Sequence, residues 1–589
     1  MTVEKDAYHA PKLSMFQFFR IFLRILAPES NFYIMAVVYG VGISLLSLAT
    51  PISVQMLINT VANTGLTMPL ILISGTLFVL LMVSGLLNAL RIHLMELFGR
   101  RFYARMVAEI SVRSIYAQNP FFGDLSRSDL FNRYFDIVVV QKSIPVLFIG
   151  GFTVILQAGV GMVLVSLYHP YFMIFNLGIV ALIWMIWIVW GSSAIRSAID
   201  LSHAKHRAAG WLELIGGSDG FFKSKKRVEF ALNKSDSATG TYIEAHKKHF
   251  RRSFAQNLSF LTLYALASAI LLGLGGWLVI QEQLTLGQLV AAELVLSVAF
   301  AGVAQLGWYL TYFYDLCASV EELSLFFDVE QEDPIGNDPI ADRQHTLAFH
   351  KVHGQAKGRG QKVTLDLEIP GGAIVMATAS NHGVQRLFTN LLKRHAVPQG
   401  GYITVADVDI MELDVHRLRH NVFVVDRSSF VGMTIREYLK LADDEDVTPR
   451  MMEAIETVGL SHVVAELENG LDTEIASTGW PLSTTELMQL KLAAAILARP
   501  KIMILNHLFD LLDEDDLASA ITALRDHSDT TVIYFSNRRA DLGFQAYLYL
   551  ENEKQTFFDN FDDFCMAVHA KPPRTPSTPR LITDRLYGE

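Results

Sequence analysis

Six apolar stretches constrain this chain more than any other feature. They fall at 33–57, 70–90, 146–167, 172–190, 258–280 and 286–310, and each approaches or exceeds the roughly 20 residues that a helix needs to cross a bilayer core of about 30 Å. Segments of that kind must pair their backbone N–H and C=O groups internally, so helices are the only regular structure open to them in lipid. The 589 residues exceed what one core holds, and a second domain is expected. A mean hydropathy of +0.31, with 51% hydrophobic and 18% charged residues, excludes an ordinary soluble enzyme of this size. The net charge of −10 adds little. Cys317 and Cys565 lie far apart without ligand spacing, which argues against a disulfide framework or a zinc site.

The connections sort by charge. Residues 59–67, 168–171 and 281–285 hold no Lys or Arg, whereas the two long connections are basic, with Arg100, Arg101 and Arg105 in the first and Lys225, Lys226 and Arg227 in the second. The positive-inside rule places the long connections and both termini in the cytoplasm. That accounts for the basic residues without a nucleic-acid partner. Residues 13–26 are amphipathic around Arg20 and Arg24 and fit either a helix lying on the membrane surface or one capping the next domain. Glu4 and Asp6 argue against a cleavable signal peptide.

Past Ser319 the apolar run ends, and 330–342, with Pro334, Gly336 and Pro339, reads as a linker. Strand-like segments at 347–352 and 362–369 open an α/β alternation that continues to about 567, and four Pro in 571–579 mark a disordered end. The expected order is an N-terminal segment with an elbow helix (1–30), a six-span membrane domain (31–320), a linker (321–345), an α/β domain (346–567) and a tail (568–589).

Residues 472–513 identify that second domain. They read Asp472-Thr473-Glu474-Ile475, Leu482-Ser483-Thr484-Thr485-Glu486, then Pro500-Lys501-Ile502-Met503-Ile504-Leu505-Asn506-His507, and close with Asp513. Without a gap this resembles the nucleotide-binding domain of ABC transporters, whose pattern is D-T-E-V, L-S-G-G-Q, P-K-I-L-L-L-D-E and a final Asp. Gly372-Ala373-Ile374-Val375-Met376, Gly383 and Leu387 match the approach to the phosphate loop, residues 401–410 with Leu418-Arg419 match a further strand, and Thr434-Ile435-Arg436-Glu437 matches T-I-R-E. The resemblance implies an α-helical six-span membrane domain of the exporter type followed by a cytoplasmic P-loop-like α/β domain. The nearest flavour is that of bacterial toxin and peptide exporters of type I secretion.

The same alignment implies that the chemistry is lost. A working phosphate loop, G-x-x-x-x-G-K-[S/T], cradles phosphates with backbone N–H groups and a Lys, and sets a hydroxyl on Mg²⁺. Here Thr378 replaces the first Gly, Val384 the Lys and Gln385 the hydroxyl residue. Asn506 stands for the Mg²⁺-binding Asp and His507 for the catalytic Glu, Asn537 for the switch His, Asp426 for the coupling Gln, and Thr484 and Thr485 after Ser483 for the signature Gly pair. Neutral Asn is a poor ligand for a hard cation, and imidazole suits softer metals. His507 could serve as a base or a ligand in a replacement site; the plainer reading is a filled former active site. No aromatic A-loop residue can be placed, Ala356 standing there. Each charge-stabilising element removed typically costs about 10²–10³ in rate. The expectation is therefore a half-transporter without ATPase activity, with ATP and Mg²⁺ binding lost, seated in a bacterial inner membrane. It would work as a dimer, preferably beside an ATP-competent half-transporter. An ATP-independent scaffold, receptor or channel remains the alternative, and an ATPase with relocated catalytic groups is a third reading.

Other residues carry expectations of their own. The resemblance implies short coupling helices at the turns of the long connections, so Phe121, Asp124, Phe131 and Arg133 are expected to contact the second domain, as is a second turn near Gly216-Gly217. Those glycines are more simply a helix-breaking turn than a phosphate loop. Gln157, Glu293 and Gln305 lie within apolar spans and are candidates for a substrate path, Glu293 alternatively reaching the interface. His203 with His206, and His246 with His249, sit at i, i+3 spacing on neighbouring extensions. They fit a four-His metal site or, given the interleaved Lys and Arg, a solvated helix face.

Overall fold

The apolar stretches fold as helices much longer than a bilayer is thick. In the computed structural model, which describes residues 15–63, 67–118, 130–218, 220–332, 336, 345–355, 362–425, 430–442, 448–528, 530–538 and 541–569, the first compact unit ends at Glu330. Its α-helices are α1 (Met15–Leu26), α2 (Ser30–Leu46), α3 (Ala49–Asn63), α4 (Thr67–Ile115), α5 (Asp136–Val146), α6 (Phe152–Ser166), α7 (Pro170–Gly216), α8 (Lys225–Ile280) and α9 (Leu286–Phe327). Six helical segments are long and apolar enough to cross a membrane. With 49, 47, 56 and 42 residues, α4, α7, α8 and α9 reach about 63–84 Å at 1.5 Å per residue.

Two spans are interrupted. The first divides into α2 and α3 at Ser47-Leu48, and the third passes through a π-helical turn at Leu147–Gly151, just after Pro145. Proline lacks an N–H and crowds the preceding turn, and a widened turn relieves both defects. Gly150 and Gly151 admit the ring of Tyr309 at this point, where a side chain on Gly150 would overlap it. Elsewhere α6 and α9 approach through small residues, as lipid-embedded helices do. A Cβ on Gly161 would fall 2.7 Å from Val295 Cγ1.

At the helix ends bearing the long basic connections, Ile25, Phe98, Phe102, Met106, Ile137, Val320, Leu323 and Phe326 form a buried cluster. The amphipathic N-terminal segment joins it. Ile25 and Leu26 are buried while Leu23 is exposed, and Arg105 holds the buried Glu29 at 2.7 Å just beyond α1. The linker expected from residue 321 begins later than the hydropathy suggested: α9 continues to Phe327 with Glu321 and Glu322 buried in it, because both carboxylates find basic partners on neighbouring elements. The Gly216-Gly217 stretch is a turn between α7 and α8, with Gly220 at φ 76°.

The second unit starts at Gln331. Its strands are β1 (Leu347–Gln355), β2 (Lys362–Ile369), β3 (Ile374–Ala379), β4 (Gly400–Val405), β5 (Val408–Asp409), β6 (Val422–Val425), β7 (Met433–Thr434), β8 (Glu474–Ile475), β9 (Ile502–Leu505), β10 (Thr531–Phe535), β11 (Ala546–Leu550) and β12 (Gln555–Phe558). Its helices are α10 (His382–Leu392), α11 (Val415–Asn421), α12 (Ile435–Lys440), α13 (Thr448–Thr457), α14 (Ser461–Glu466), α15 (Thr484–Ala498), α16 (Glu514–Ser528) and α17 (Phe561–His569). A six-stranded sheet has the order β12-β11-β3-β10-β9-β6, parallel except for the β11–β12 edge pair. A four-stranded antiparallel sheet, β2-β1-β4-β5, lies alongside. The central strands are apolar throughout, Ile502 to Leu505 and Thr531 to Phe535 being buried without exception, as sheets covered on both faces require.

Candidate functional site

Ligands of open parallel sheets bind beyond the carboxyl ends of the strands, and a cleft lies there in the second unit. It measures about 510 Å³ and is lined by residues from the ends of β3, β9 and β10 and from the start of α10, among them Thr378, Asn381, His382, Gln385, His507 and Asn537. Its polar groups are neutral or imidazole. Thr378 Oγ1 donates to the Ser536 carbonyl at 2.6 Å, and Asn381 caps α10 by accepting from the Val384 N–H at 3.2 Å. The Val384 side chain is fully buried in the apolar cluster with Leu387 and Phe388. His382 and His507 face each other across the cleft, ring centres 6.3 Å apart and nearly perpendicular. Asn506 caps the short turn after β9, accepting from the Leu508 N–H at 3.0 Å.

That turn carries a carboxylate the sequence had not singled out. Asp510 accepts from the hydroxyls of Tyr534 and Ser536, the latter at 2.7 Å, and from the Asn537 N–H at 3.0 Å. Arg538 donates back to the carbonyls of Asp510, at 3.1 Å, and Leu512. Burial, reinforced by the bond to Asp510, pushes the Tyr534 hydroxyl pKa well up and keeps it a donor. The end of β10 is thereby tied to the turn after β9 by internal hydrogen bonds.

A second polar centre lies in the first unit, beyond the apolar parts of α7 and α9. Asp136, at the start of α5, is buried and accepts from His206 Nε2 at 2.7 Å, Lys205 Nζ at 3.2 Å and Ser319 Oγ at 3.1 Å. One turn away His203 Nε2 lies 3.0 Å from Glu321 Oε2 and 3.8 Å from Glu322 Oε1. Arg133 Nη1 faces Glu322 Oε2 at 2.7 Å.

Comparison with known proteins decides what this architecture is. Residues 33–213 match the family model described as the ABC transporter transmembrane region. That segment is thus similar to an ABC transporter transmembrane region. It is 26% identical over 318 residues to the uncharacterized ABC transporter ATP-binding protein YknU of Bacillus subtilis (strain 168), a match that covers 51% of this chain and only 52% of that protein. It is 24% identical over 570 residues to the ABC multidrug transporter mdr2 of Aspergillus fumigatus, covering 90% of this chain and 68% of the relative. The leukotoxin translocation ATP-binding protein LktB of Mannheimia glucosida matches at 25% over 245 residues, 41% of this chain and 35% of that protein. Among solved structures, a bacterial Atm1-family ABC exporter with ATP bound superposes with a TM-score of 0.73 over 92% of this chain and 96% of that one, at 17% identity. The fold is therefore that of an Atm1-family ABC exporter, and among the described residues six helices are long and apolar enough to cross a membrane.

Within that ABC exporter fold, the residues picked from sequence fall in different places. Thr378, Gln385, His507 and Asn537 meet at one cleft, with Gly383, Val384 and Asn506 in its supporting turns. Ser483, Thr484 and Thr485 are not among its lining residues. They start α15, where Ser483 and Glu486 form a reciprocal capping box, the Glu486 carboxylate accepting from the Ser483 N–H at 2.7 Å. Asp426, Phe121 and Asp124 lie outside the described residues. Phe131 and Arg133, expected to contact the second domain, have partners within the membrane unit: the Phe131 ring packs edge-on against Phe326, and Arg133 is buried against Glu322. An aromatic ring and a cation both lower their free energy by finding these partners on the part of α9 that sequence reasoning had assigned to the linker. Of the candidate path residues, Gln157 and Glu293 are half-buried and Gln305 is exposed. Glu293 Oε2 is itself buried and accepts no hydrogen bond among the described residues.

The histidines also depart from expectation. His203, His206 and His249 face inward rather than forming a solvated surface, and they do not form a four-His site: His249 bonds to Ser197 at 3.1 Å and His246 is exposed. Carboxylates on α5 and α9 draw His203 and His206 away from α8. The i, i+3 spacing signalled one helix face; the identity of the facing residues was not local information.

Proposed function

We propose that this half-transporter is the non-hydrolysing subunit of an export complex, in a bacterial inner membrane with both termini in the cytoplasm. On this reading its ABC domain neither holds nor hydrolyses ATP. The single observation that carries it is the position of Val384: an apolar side chain is packed into the domain core where a phosphate loop needs a Lys. The neighbouring groups support it. Asn506 accepts from the chain's own backbone, the hydroxyl of Ser536 and the backbone N–H of Asn537 are engaged by Asp510, and among the described residues the cleft lining has no Lys or Arg. A triphosphate there would meet the Asp510 carboxylate while the neighbouring Arg538 is already held by the carbonyls of Asp510 and Leu512, an unfavourable exchange for its hydration.

Exporters of this fold act as dimers in the membrane. A pair of identical chains of this kind would contain no ATP-driven step, so the favoured partner is an ATP-competent ABC half-transporter. Its phosphate loop would face the Ser483-capped start of α15. The cargo class suggested by the toxin- and drug-exporting relatives is a peptide, a protein or an amphiphile.

Two measurements test this. Millimolar ATP with Mg²⁺ should leave the melting temperature of the purified chain unchanged, and a saturable ATP-dependent rise would reject the loss of nucleotide binding. Mild-detergent purification from native membranes followed by mass spectrometry should recover an intact ABC subunit. Recovery of this chain only as a homodimer would favour the ATP-independent scaffold, receptor or channel instead.

A further inference from the structure

The acids and histidines between α5, α7 and α9 serve no step of ATP chemistry, and their arrangement points elsewhere. We propose that His203, Glu321 and Glu322 form a binding site for a divalent transition-metal ion of the zinc class, which joins α7 to α9. The nitrogen and the two carboxylate oxygens lie within 4.8 Å of one another, with separations from His203 Nε2 of 3.0 and 3.8 Å. Ligands about 2.0–2.2 Å from a tetrahedral zinc lie roughly 3.4 Å apart. Small side-chain adjustments on fixed helices therefore suffice to close the site, and a water would supply the fourth position.

The independent observation is the state of Glu322. Its side chain is wholly buried and its Oε2 is paired with Arg133 at 2.7 Å, yet its Oε1 accepts no hydrogen bond among the described residues. Native proteins rarely leave a buried carboxylate oxygen in that condition. Asp136, equally buried, shows the contrast: its oxygens accept from His206, Lys205 and Ser319. Arg133 approaches Glu322 Oε2 at 2.7 Å and leaves Oε1 turned toward His203 at 3.8 Å and His206 at 4.0 Å. One oxygen thus answers the arginine, and the other is available to a metal.

Charge and donor type agree. Asp136, Glu321 and Glu322 set three carboxyl groups against Arg133 and Lys205, and Lys205 is about half exposed and screened by water. A nitrogen donor with two carboxylates suits zinc and its first-row neighbours, whereas Mg²⁺ and Ca²⁺ prefer oxygen shells. His206, fixed by Asp136, and Arg133, fixed on Glu322, stand behind the ligands as positioning residues. The site does not depend on the state of the ABC domain, so its failure and that of the proposed function are separately visible.

The test uses the full chain in detergent, stripped with EDTA, desalted and titrated with Zn²⁺. Mass-spectrometric metal analysis should give one zinc per chain, with a saturable rise in melting temperature, and Co²⁺ in its place should give visible absorption bands of low-coordinate cobalt. His203→Gln and Glu322→Gln should weaken zinc binding by about tenfold or more; His246→Gln, at an exposed position, should not. Zinc bound with undiminished affinity by His203→Gln, or wild-type protein that takes up no zinc above an EDTA-treated control, overturns the assignment. Equal stabilisation by Mg²⁺ does so as well. If the variants fail to fold, the wild-type titration decides: saturable zinc with cobalt absorption supports the site, and absence of either rejects it.

Discussion

The cleft of the second unit and the charged cluster of the first both gather polar side chains from separate elements, but they treat charge in opposite ways. At the cleft the lining side chains are neutral or imidazole, Val384 and Asn506 beside it are engaged by the domain's own core and backbone, and the nearby Asp510 carboxylate is enclosed by donors of the same unit. In the membrane unit Asp136, Glu321 and Glu322 are buried together beside Arg133, Lys205, His203 and His206. A site that must release and rebind a ligand cannot tie its donors to itself. A junction that must hold helices together can keep charges, provided each is answered.

The largest effect should come from breaking the junction. Arg133→Ala leaves Glu322 buried without its cation and should cost about 3–5 kcal/mol, read as a fall in melting temperature; a loss below about 1 kcal/mol would mean that water or a metal already compensates the carboxylate. At the cleft Asp510→Asn should cost less, about 2 kcal/mol, because the amide keeps one acceptor for the Tyr534, Ser536 and Asn537 donors. A cost as large as that of Arg133→Ala would erase the contrast between the two regions.

Smaller effects sharpen the comparison. Ser483→Ala removes the cap of α15 and should cost about 1 kcal/mol in denaturant unfolding, since the capping box retains a structural role where phosphate contact was its counterpart. The smallest expected effect is on nucleotide binding. Val384→Lys restores the phosphate-loop residue alone, and ATP with Mg²⁺ should still produce no thermal shift, because Asn506 and Asp510 are unchanged. A shift in that variant would show that one side chain separates this domain from a nucleotide-binding one.

Much of the molecule was legible in order of residues. Six runs of apolar residues fix six spanning helices because lipid leaves the backbone no other way to satisfy itself, and β-branched runs such as 502–505 and 531–535 fix buried strands. The sequence also singled out 378, 385, 507 and 537, which the fold brings to one cleft. Hydropathy misplaced the end of the last span, because Glu321 and Glu322 read as solvent-seeking when their partners are out of view.

What the tertiary structure alone decided is where charges meet. His206 and Ser319 lie 70 and 183 residues from Asp136 along the chain, and no local period encodes such a contact. Asp510 was invisible for the same reason: its three donors come from β10 and the residues after it, more than 20 positions away. Periodicity reports the face a side chain occupies, which is a property of one helix or strand. The energy of a buried ion depends on the groups that replace its water, and packing between distant segments supplies them.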